Sequence, residues 1–204
     1  MTVTECEHLP HSVVIERNKL SKIMKKALLI VDVQNDFCPG GALGVKDGDK
    51  VVPVINRIMD LFDLVISSQD WHPADSIHFE KWPPHCIAGT QGADLHPELE
   101  KKRIDLRLFK GTENKDDGYS AFEATNTSLS DFLQEHQIRK LYVCGLATDY
   151  CVKASALDAV SEGFHTYVIT DAVAAVNRET GDDKKALNEL YAGGCILVES
   201  DEIQ

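Results

Sequence analysis

The stretch from residue 70 to residue 85 concentrates side chains that bind transition metals. Within these sixteen positions it holds three histidines and one well-placed carboxylate: Asp70, His72, His78 and His85. Asp70 and His72 alternate, so in an extended chain both side chains leave the same side of the backbone. Imidazole and carboxylate together suit Zn²⁺, Fe²⁺ or Mn²⁺ better than Ca²⁺ or Cu⁺. The pattern predicts one divalent metal ion, with Zn²⁺ the first choice; a histidine-rich surface loop is the alternative.

A second set of reactive side chains is spread along the chain. Cys151 falls in the first turn of a predicted helix, where free N–H groups and the helix dipole favour a thiolate. Asp32 closes the first predicted strand and can serve as its base, while Lys110 ends an apolar strand and can hold the thiolate or orient the carboxylate. Taken singly, they also fit a buried small cysteine, an ordinary strand-end aspartate and a snorkelling lysine. Taken together, they favour a Cys-Asp-Lys catalytic group.

The elements that must position these residues follow a βαβ pattern. From Ala27 onward, short apolar runs alternate with amphipathic stretches, as around a buried parallel sheet. We predict strands over residues 27–32, 63–68, 106–110, 140–145, 165–170 and 195–199. We predict helices over residues 49–62, 127–137, 150–162 and 182–192, the third capped by Thr148 or Asp149 and stopped by Gly163. Ligands of open parallel sheets bind beyond the carboxyl ends of the strands, so the predicted site residues should gather on one rim.

Length and composition predict one domain. The chain has 204 residues, 43% of them hydrophobic, which suffices for one well-buried core. We divide it into a polar N-terminal extension, residues 1–23, and one domain, residues 24–204. A formal charge of -12 argues against nucleic acid and anionic membranes as partners. The chain has neither an apolar run of membrane-spanning length nor a signal peptide, and its six scattered cysteines indicate free thiols, so we expect a cytoplasmic protein.

Several motifs, in order, resemble the nicotinamidase/pyrazinamidase branch of the isochorismatase-like cysteine hydrolases. They extend over residues 27–199 and read IVDVQNDFCPGGAL from Ile30, QDWHP from Gln69, WPPHC from Trp82 with Gly89-Thr90, FKG from Phe109, YSAF from Tyr119 and CGLATDYCV from Cys144. The resemblance implies a three-layer α/β/α fold with a six-stranded, mainly parallel sheet. It also implies hydrolysis of nicotinamide, and of pyrazinamide, through a cysteine thioester, with a divalent metal orienting the pyridine ring.

The same resemblance implies a role for each matching residue. It gives the catalytic triad as Asp32, Lys110 and Cys151, and the metal ligands as Asp70, His72 and His85, with His78 as a fourth ligand in the pyrazinamidase-like subset. It gives an oxyanion hole at the backbone N–H groups of Ala147 and Cys151, beside a cis peptide bond at Leu146-Ala147. The implied substrate pocket is formed by Phe37, Trp82, Tyr119, Leu146 and Ala147, with core packing the alternative for the aromatic residues. Four protein ligands would close a tetrahedral zinc site, so a working site needs an expanded shell with water.

Other functions stay open on the sequence alone. An amidohydrolase of the same superfamily that acts on an N-carbamoyl or ureido substrate would use the same triad, but such relatives generally lack the Asp-x-His and His metal set. Isochorismatase proper does not use the cysteine position that is filled here. A non-catalytic protein could keep the fold as a scaffold, which nicotinamide turnover would exclude. The sequence also leaves a homo-oligomer open.

Overall fold

One six-stranded sheet organises the chain. The computed structural model describes residues 24–203, so the predicted extension over residues 1–23 lies outside the described residues. The strands are β1 (Lys25–Val31), β2 (Leu64–Asp70), β3 (Leu106–Lys110), β4 (Ile138–Leu146), β5 (His165–Ala174) and β6 (Ile196–Val198). Their order is β3-β2-β1-β4-β5-β6, and every neighbouring pair is parallel. The chain therefore reverses its direction of winding between β1 and β4, where open α/β sheets bind their ligands.

Helices cover both faces of the sheet, which gives the predicted three-layer α/β/α fold. They are α1 (Val51–Ile58), α2 (Leu129–Glu135), α3 (Lys153–Ser161) and α4 (Asp182–Ala192). Helix α1 packs its apolar side into one core, and α2, α3 and α4 pack theirs into the other. Within residues 24–203, each helix is too short or too polar to span a membrane.

The central strand shows why the sequence dictates this layering. Alternate side chains of β1 enter opposite cores: Leu28 and Ile30 join the core under α1, whereas Leu29 and Val31 join the core under the other helices. All four are fully buried. A strand covered on both faces needs a continuous apolar run rather than alternation, and residues 27–31 supply one.

Two helix predictions need correction. The helix predicted over residues 49–62 is divided, because short 3-10 turns at Gly48–Lys50 and Met59–Leu61 flank α1. The helix predicted from residue 150 begins with a π-helical turn, Thr148–Val152, that leads into α3. Asp149 does not cap it: its carboxylate instead accepts the backbone N–H groups of Val176 and Asn177, each at 2.9 Å. The Asp149 carboxylate thus holds the segment that follows β5.

Candidate active site and metal centre

Four strand ends deliver the candidate catalytic residues to one rim, as predicted. Asp70, the last residue of β2, is in register with Lys110, the last residue of β3. Asp32 directly follows β1 and has a positive φ of 48°, a conformation that aspartate tolerates better than most residues. Cys151 lies in the π-helical turn that follows β4. The rim is therefore set by the ends of β1 to β4.

Lys110 is the centre of this arrangement and is fully buried. Its ammonium Nζ lies 2.8 Å from Asp32 Oδ2 and 2.5 Å from Asp70 Oδ1. It also donates to the backbone carbonyl of Gly118 at 2.6 Å and lies 3.5 Å from Cys151 Sγ. Burial alone would lower the pKa of Lys110, but the two carboxylates outweigh it and hold that pKa well above its ordinary value. Lys110 is therefore a fixed cation rather than a snorkelling side chain.

Asp32 and Cys151 form a base and thiol pair. Burial raises the pKa of Asp32 to about 6, with Lys110 opposing the rise and Asp70 adding to it. Asp32 Oδ1 accepts a hydrogen bond from Ser68 Oγ at 2.8 Å. Cys151 Sγ and one carboxylate oxygen from each of the two aspartates lie within 4.8 Å of one another. Asp32 thus lies beside the thiol, and with a pKa of about 6 it is mostly ionised at neutral pH.

The Cys151 thiol needs a base, as the sequence predicts, because its surroundings disfavour the thiolate. Burial raises the pKa of Cys151 well above its ordinary value; Lys110 opposes this, and the carboxylates of Asp32 and Asp70 reinforce it. Burial is the main cause, because a thiolate loses its hydration there, and the two buried anions beside the sulfur add to it. The resting thiol is protonated, and ionising it requires transfer of its proton to Asp32.

The three histidines of the predicted metal centre lie together. His72, His78 and His85 are buried, and each offers a ring nitrogen within 4.8 Å of the others. In each ring Nδ1 has a partner: Gly111 O at 3.0 Å for His72, Pro83 O at 2.7 Å for His85, and Asp116 Oδ1 at 3.2 Å for His78. A carbonyl or carboxylate oxygen accepts a hydrogen bond from Nδ1–H, and in that tautomer Nε2 carries no proton and is available to bind a metal.

Asp70 links the histidines to the catalytic residues. While Oδ1 contacts Lys110, Oδ2 lies 3.6 Å from His72 Nε2 and 3.9 Å from His85 Nε2. Burial opposes ionisation of Asp70, but Lys110 and His72 together outweigh it and hold the pKa of this carboxyl below its ordinary range. The Asp70 carboxylate thus contacts Lys110 with one oxygen and faces the histidines with the other.

The donor set fits a divalent metal ion. Among residues 24–203, His72 Nε2 is a buried nitrogen that has no hydrogen-bond partner, as expected for an atom that binds metal. Burial also lowers the pKa of both His78 and His85, which favours the neutral imidazole that metals require. Imidazole nitrogens beside a carboxylate suit Zn²⁺, Fe²⁺ or Mn²⁺.

Gly111 shows how closely the chain packs around the cluster. Its φ is +62°, and a Cβ added there would lie 2.4 Å from His72 Cε1. Two constraints therefore require glycine at this position: the positive φ, and the His72 imidazole ring that leaves no room for a Cβ. The FKG motif ends in glycine for this reason.

A pocket connects the histidine cluster with Cys151. All five residues predicted for the substrate pocket line it: Phe37, Trp82, Tyr119, Leu146 and Ala147. Trp82 Nε1 donates to the Tyr119 hydroxyl at 3.2 Å, so these two aromatic residues form one wall of the pocket, and Tyr119 also packs against the core under α2, α3 and α4. The Phe37 ring lies 5.3 Å from the His85 ring, centroid to centroid.

Other residues that line the pocket were not predicted. They are Leu43, Asp117, Gly118, Tyr150 and Val176. Tyr150 and Gly118 adjoin residues that were predicted, and Leu43 ends the PGGAL segment, so neighbourhood in the sequence could have suggested them. Val176 follows β5 and carries no such signal; it reaches the pocket because Asp149 binds its backbone N–H. The Leu146-Ala147 peptide bond at the base of the pocket is cis, as the resemblance implied.

Fold and site together define the class of protein: a parallel α/β protein with a Cys-Asp-Lys group and a histidine cluster on one rim. Residues 26–202 match the model of the Isochorismatase domain. The chain belongs to the isochorismatase family, and the predicted family is confirmed.

Known relatives agree with this assignment. A curated nicotinamidase of Escherichia coli is 43% identical over 84% of this chain and 93% of its own length. The structure of a pyrazinamidase of Pyrococcus horikoshii in complex with zinc is 38% identical, with a TM-score of 0.78 over 86% of this chain and 99% of that chain. The structure of PnC1 from L. infantum in complex with nicotinate is 36% identical, with a TM-score of 0.82 over 87% of this chain and 94% of that chain.

Proposed function

We propose that the protein is a nicotinamidase, which hydrolyses nicotinamide to nicotinate and ammonia and accepts pyrazinamide in the same way. The observation that carries this is the pocket with a thiol, a base and a buried cation at one end and a histidine cluster at the other. Nicotinamide has an amide for the thiol and a ring nitrogen for the metal end. The nicotinamidase and pyrazinamidase relatives and the nicotinate-bound neighbour support the same substrate class.

In the first half of the reaction, Cys151 takes the acyl group. Asp32 accepts the thiol proton of Cys151, and the sulfur forms a bond to the amide carbon. Backbone N–H groups of Ala147 and Cys151 hold the negative charge on the oxygen; one such donor contributes about 3–4 kcal/mol in comparable sites. Asp32 then gives its proton to the departing nitrogen, the C–N bond breaks, and ammonia leaves a nicotinoyl thioester on Cys151.

In the second half, water releases the product. Asp32, again ionised, accepts a proton from a water molecule, whose oxygen attacks the thioester carbon. The C–S bond breaks, the sulfur takes the proton back from Asp32, and nicotinic acid departs and loses its carboxyl proton to solvent as nicotinate. Lys110 remains charged throughout, because it stays between Asp32 and Asp70. Its role is to hold both carboxylates in place and to stabilise charge on Cys151.

We assign the metal ligands as Asp70, His72, His78 and His85, with Zn²⁺ the first choice and Fe²⁺ or Mn²⁺ acceptable. A bound ion would act as a Lewis acid toward the pyridine nitrogen, either directly or through water. Phe37, Trp82 and Tyr119 flank the ring as aromatic walls. The zinc-bound pyrazinamidase supports the choice of ion.

The cellular setting follows from the substrate and the composition. Nicotinamide hydrolysis is a step in the recycling of NAD, and we place the enzyme in the cytoplasm. The five cysteines among the described residues are free and buried, as a reducing compartment allows. Residues 24–204 form the catalytic domain, residues 1–23 are an extension to it, and a homo-oligomer is compatible with this function.

Ammonia release by the purified protein tests the proposal. We expect release from nicotinamide, its loss after chelation, and its recovery when Zn²⁺, Fe²⁺ or Mn²⁺ is added back. An N-carbamoyl amino acid is the comparison substrate. Faster release from that substrate, unaffected by chelation, would favour the alternative amidohydrolase, and no release from either would favour a non-catalytic scaffold.

A further inference from the structure

The three clustered histidines differ in what holds them. Nδ1 of His72 and of His85 is bonded to a backbone carbonyl, so the main chain itself orients both rings. Nδ1 of His78 is bonded to a side chain, the carboxylate of Asp116, 38 residues further along the chain. The orientation of His78 thus depends on another loop.

Asp116 joins two loops over the metal centre. We call residues 76–81 the histidine loop and residues 112–118 the cover loop. One Asp116 oxygen contacts His78, and the other is ion-paired with the Lys81 ammonium. A further bond joins the loops nearby, where Asn114 Oδ1 accepts the backbone N–H of Ile77 at 2.7 Å. Contacts near His78 therefore hold the two loops together.

The cover loop also reaches the catalytic group. Its last residue, Gly118, accepts a hydrogen bond from Lys110 Nζ through its carbonyl, and Tyr119 follows directly as a wall of the pocket. Movement of the cover loop would therefore change both the orientation of His78 and the surroundings of Lys110.

We propose that Asp116 is a positioning residue for the metal centre, which fixes the ring of His78 so that its Nε2 faces the ion. This rests on the proposed metal-dependent function. A carboxylate on the far nitrogen of a ligating histidine sets its tautomer, orients the ring and makes it a stronger donor, and loss of such a partner typically weakens metal affinity by about 10–100-fold.

A simpler account of Asp116 is an exposed ion pair with Lys81. Such pairs contribute little to the free energy of unfolding. The two accounts differ in which contact matters. Removing Lys81 leaves the bond to His78 in place, so Lys81→Ala should keep its metal affinity within about twofold if His78 is the partner that counts.

Zinc affinity, measured by competition with a chromogenic chelator on the stripped protein, tests the proposal without reference to activity. We expect Asp116→Ala to bind Zn²⁺ about tenfold or more weakly than the parent. The matched control is Glu113→Ala, which removes a carboxylate from the same loop; Glu113 is paired with Lys115 instead of a histidine. Its affinity should equal that of the parent.

A double-mutant cycle identifies the route of the effect. If Asp116 acts through His78, then adding Asp116→Ala to His78→Ala should cause no further loss of zinc affinity. Parental affinity in Asp116→Ala, or an equal loss with and without His78, would overturn the proposal. A parent protein that binds no Zn²⁺ would refute the metal centre itself, whereas zinc binding indifferent to Asp116 would refute only the positioning role.

Discussion

The catalytic group and the histidine cluster share one rim but are built in opposite ways. Asp32 and Lys110 lie at the carboxyl ends of β1 and β3, on either side of β2. Their side chains contact each other and other strand-end or buried groups, and Lys110 also donates to the Gly118 carbonyl. Both are fully buried. The histidines instead lie on or beside irregular chain, and one of them depends on a part-exposed carboxylate from a second loop. The first group is held mainly by strand ends, with one bond from Lys110 to the cover loop, and the second is held mainly by loop contacts.

The two regions should therefore depend on a bound ion to different degrees. In the catalytic group one ammonium contacts two carboxylates that are held at strand ends, so the group should keep its geometry when the metal is removed. The histidines bring neutral nitrogens together with less support, so they should loosen without the ion. Asp70 belongs to both, with one oxygen on Lys110 and the other facing the histidines. Substitutions, substrates and pH should affect the catalytic group and the histidine cluster differently.

The largest expected effect is from Lys110→Met. Removing this ammonium leaves the Asp32 and Asp70 carboxylates buried without a cation, which should cost about 3–5 kcal/mol in the free energy of unfolding and abolish activity. Urea unfolding of the chelated protein measures the cost without a contribution from metal. Lys153→Met is the control, because its partly exposed pair with Glu189 should cost at most about 1 kcal/mol. Equal costs would mean that Lys110 is an ordinary ion pair.

Benzamide tests the metal end of the pocket. It keeps the aromatic ring and the amide of nicotinamide but lacks the ring nitrogen, so it should fill the walls formed by Phe37 and Trp82 without a contact to the ion. We expect kcat/KM for benzamide to be lower than for nicotinamide by at least about 100-fold. The comparison is made at saturating Zn²⁺ by ammonia release. Similar values for the two amides would show that the metal does not select the substrate.

The pH profile tests the catalytic end. Burial, with a contribution from Asp70 and opposition from Lys110, raises the pKa of Asp32 to about 6. The ionised form is the base, so kcat/KM should fall as pH decreases through 6, approaching about tenfold for each further pH unit. Metal content measured at each pH separates this effect from loss of the ion. A flat profile down to pH 5, with metal retained, would contradict the role of Asp32.

His78→Ala should have the smallest effect once metal is plentiful. The remaining proposed ligands, Asp70, His72 and His85, would hold an ion with water in place of the lost ring, so metal retention on dialysis should weaken. Added metal should restore much of the activity, and the reactivity of the Cys151 thiol should be unchanged. His165→Ala, an exposed histidine on β5, is the control. A variant that keeps its metal as tightly as the parent would leave a three-ligand site.

The sheet and its rim could be predicted from the sequence because strand ends are a local signal. The apolar run before Asp32 and the one before Lys110 each mark a strand, and parallel topology then brings their ends together. The π-helical turn at Cys151 was not predicted, since the three-to-four apolar spacing of α3 continues through it. The raised pKa of that thiol could not be predicted for another reason. It depends first on burial and then on the carboxylates of Asp32 and Asp70, which adjoin the sulfur only in the folded chain.

The loop contacts could not be predicted either. Nothing in the sequence near His78 indicates Asp116 as its partner, because the two loops are brought together by the parallel pairing of β2 with β3. The same is true of Asp149, whose position beside Cys151 suggested a helix cap, whereas its carboxylate holds Val176 in the pocket wall. Contacts between loops depend on tertiary structure, and residue spacing does not reveal them.

The most direct test of the account is rapid-quench mass spectrometry of the protein mixed with nicotinamide. The mechanism predicts a nicotinoyl adduct on the peptide that contains Cys151, formed and lost within the time of one turnover. Cys151→Ala should show no adduct and no turnover, whereas Cys195→Ala, which removes a buried cysteine outside the pocket, should behave as the parent. Ammonia release by Cys151→Ala, or an adduct on another residue, would contradict the claim that Cys151 carries the chemistry.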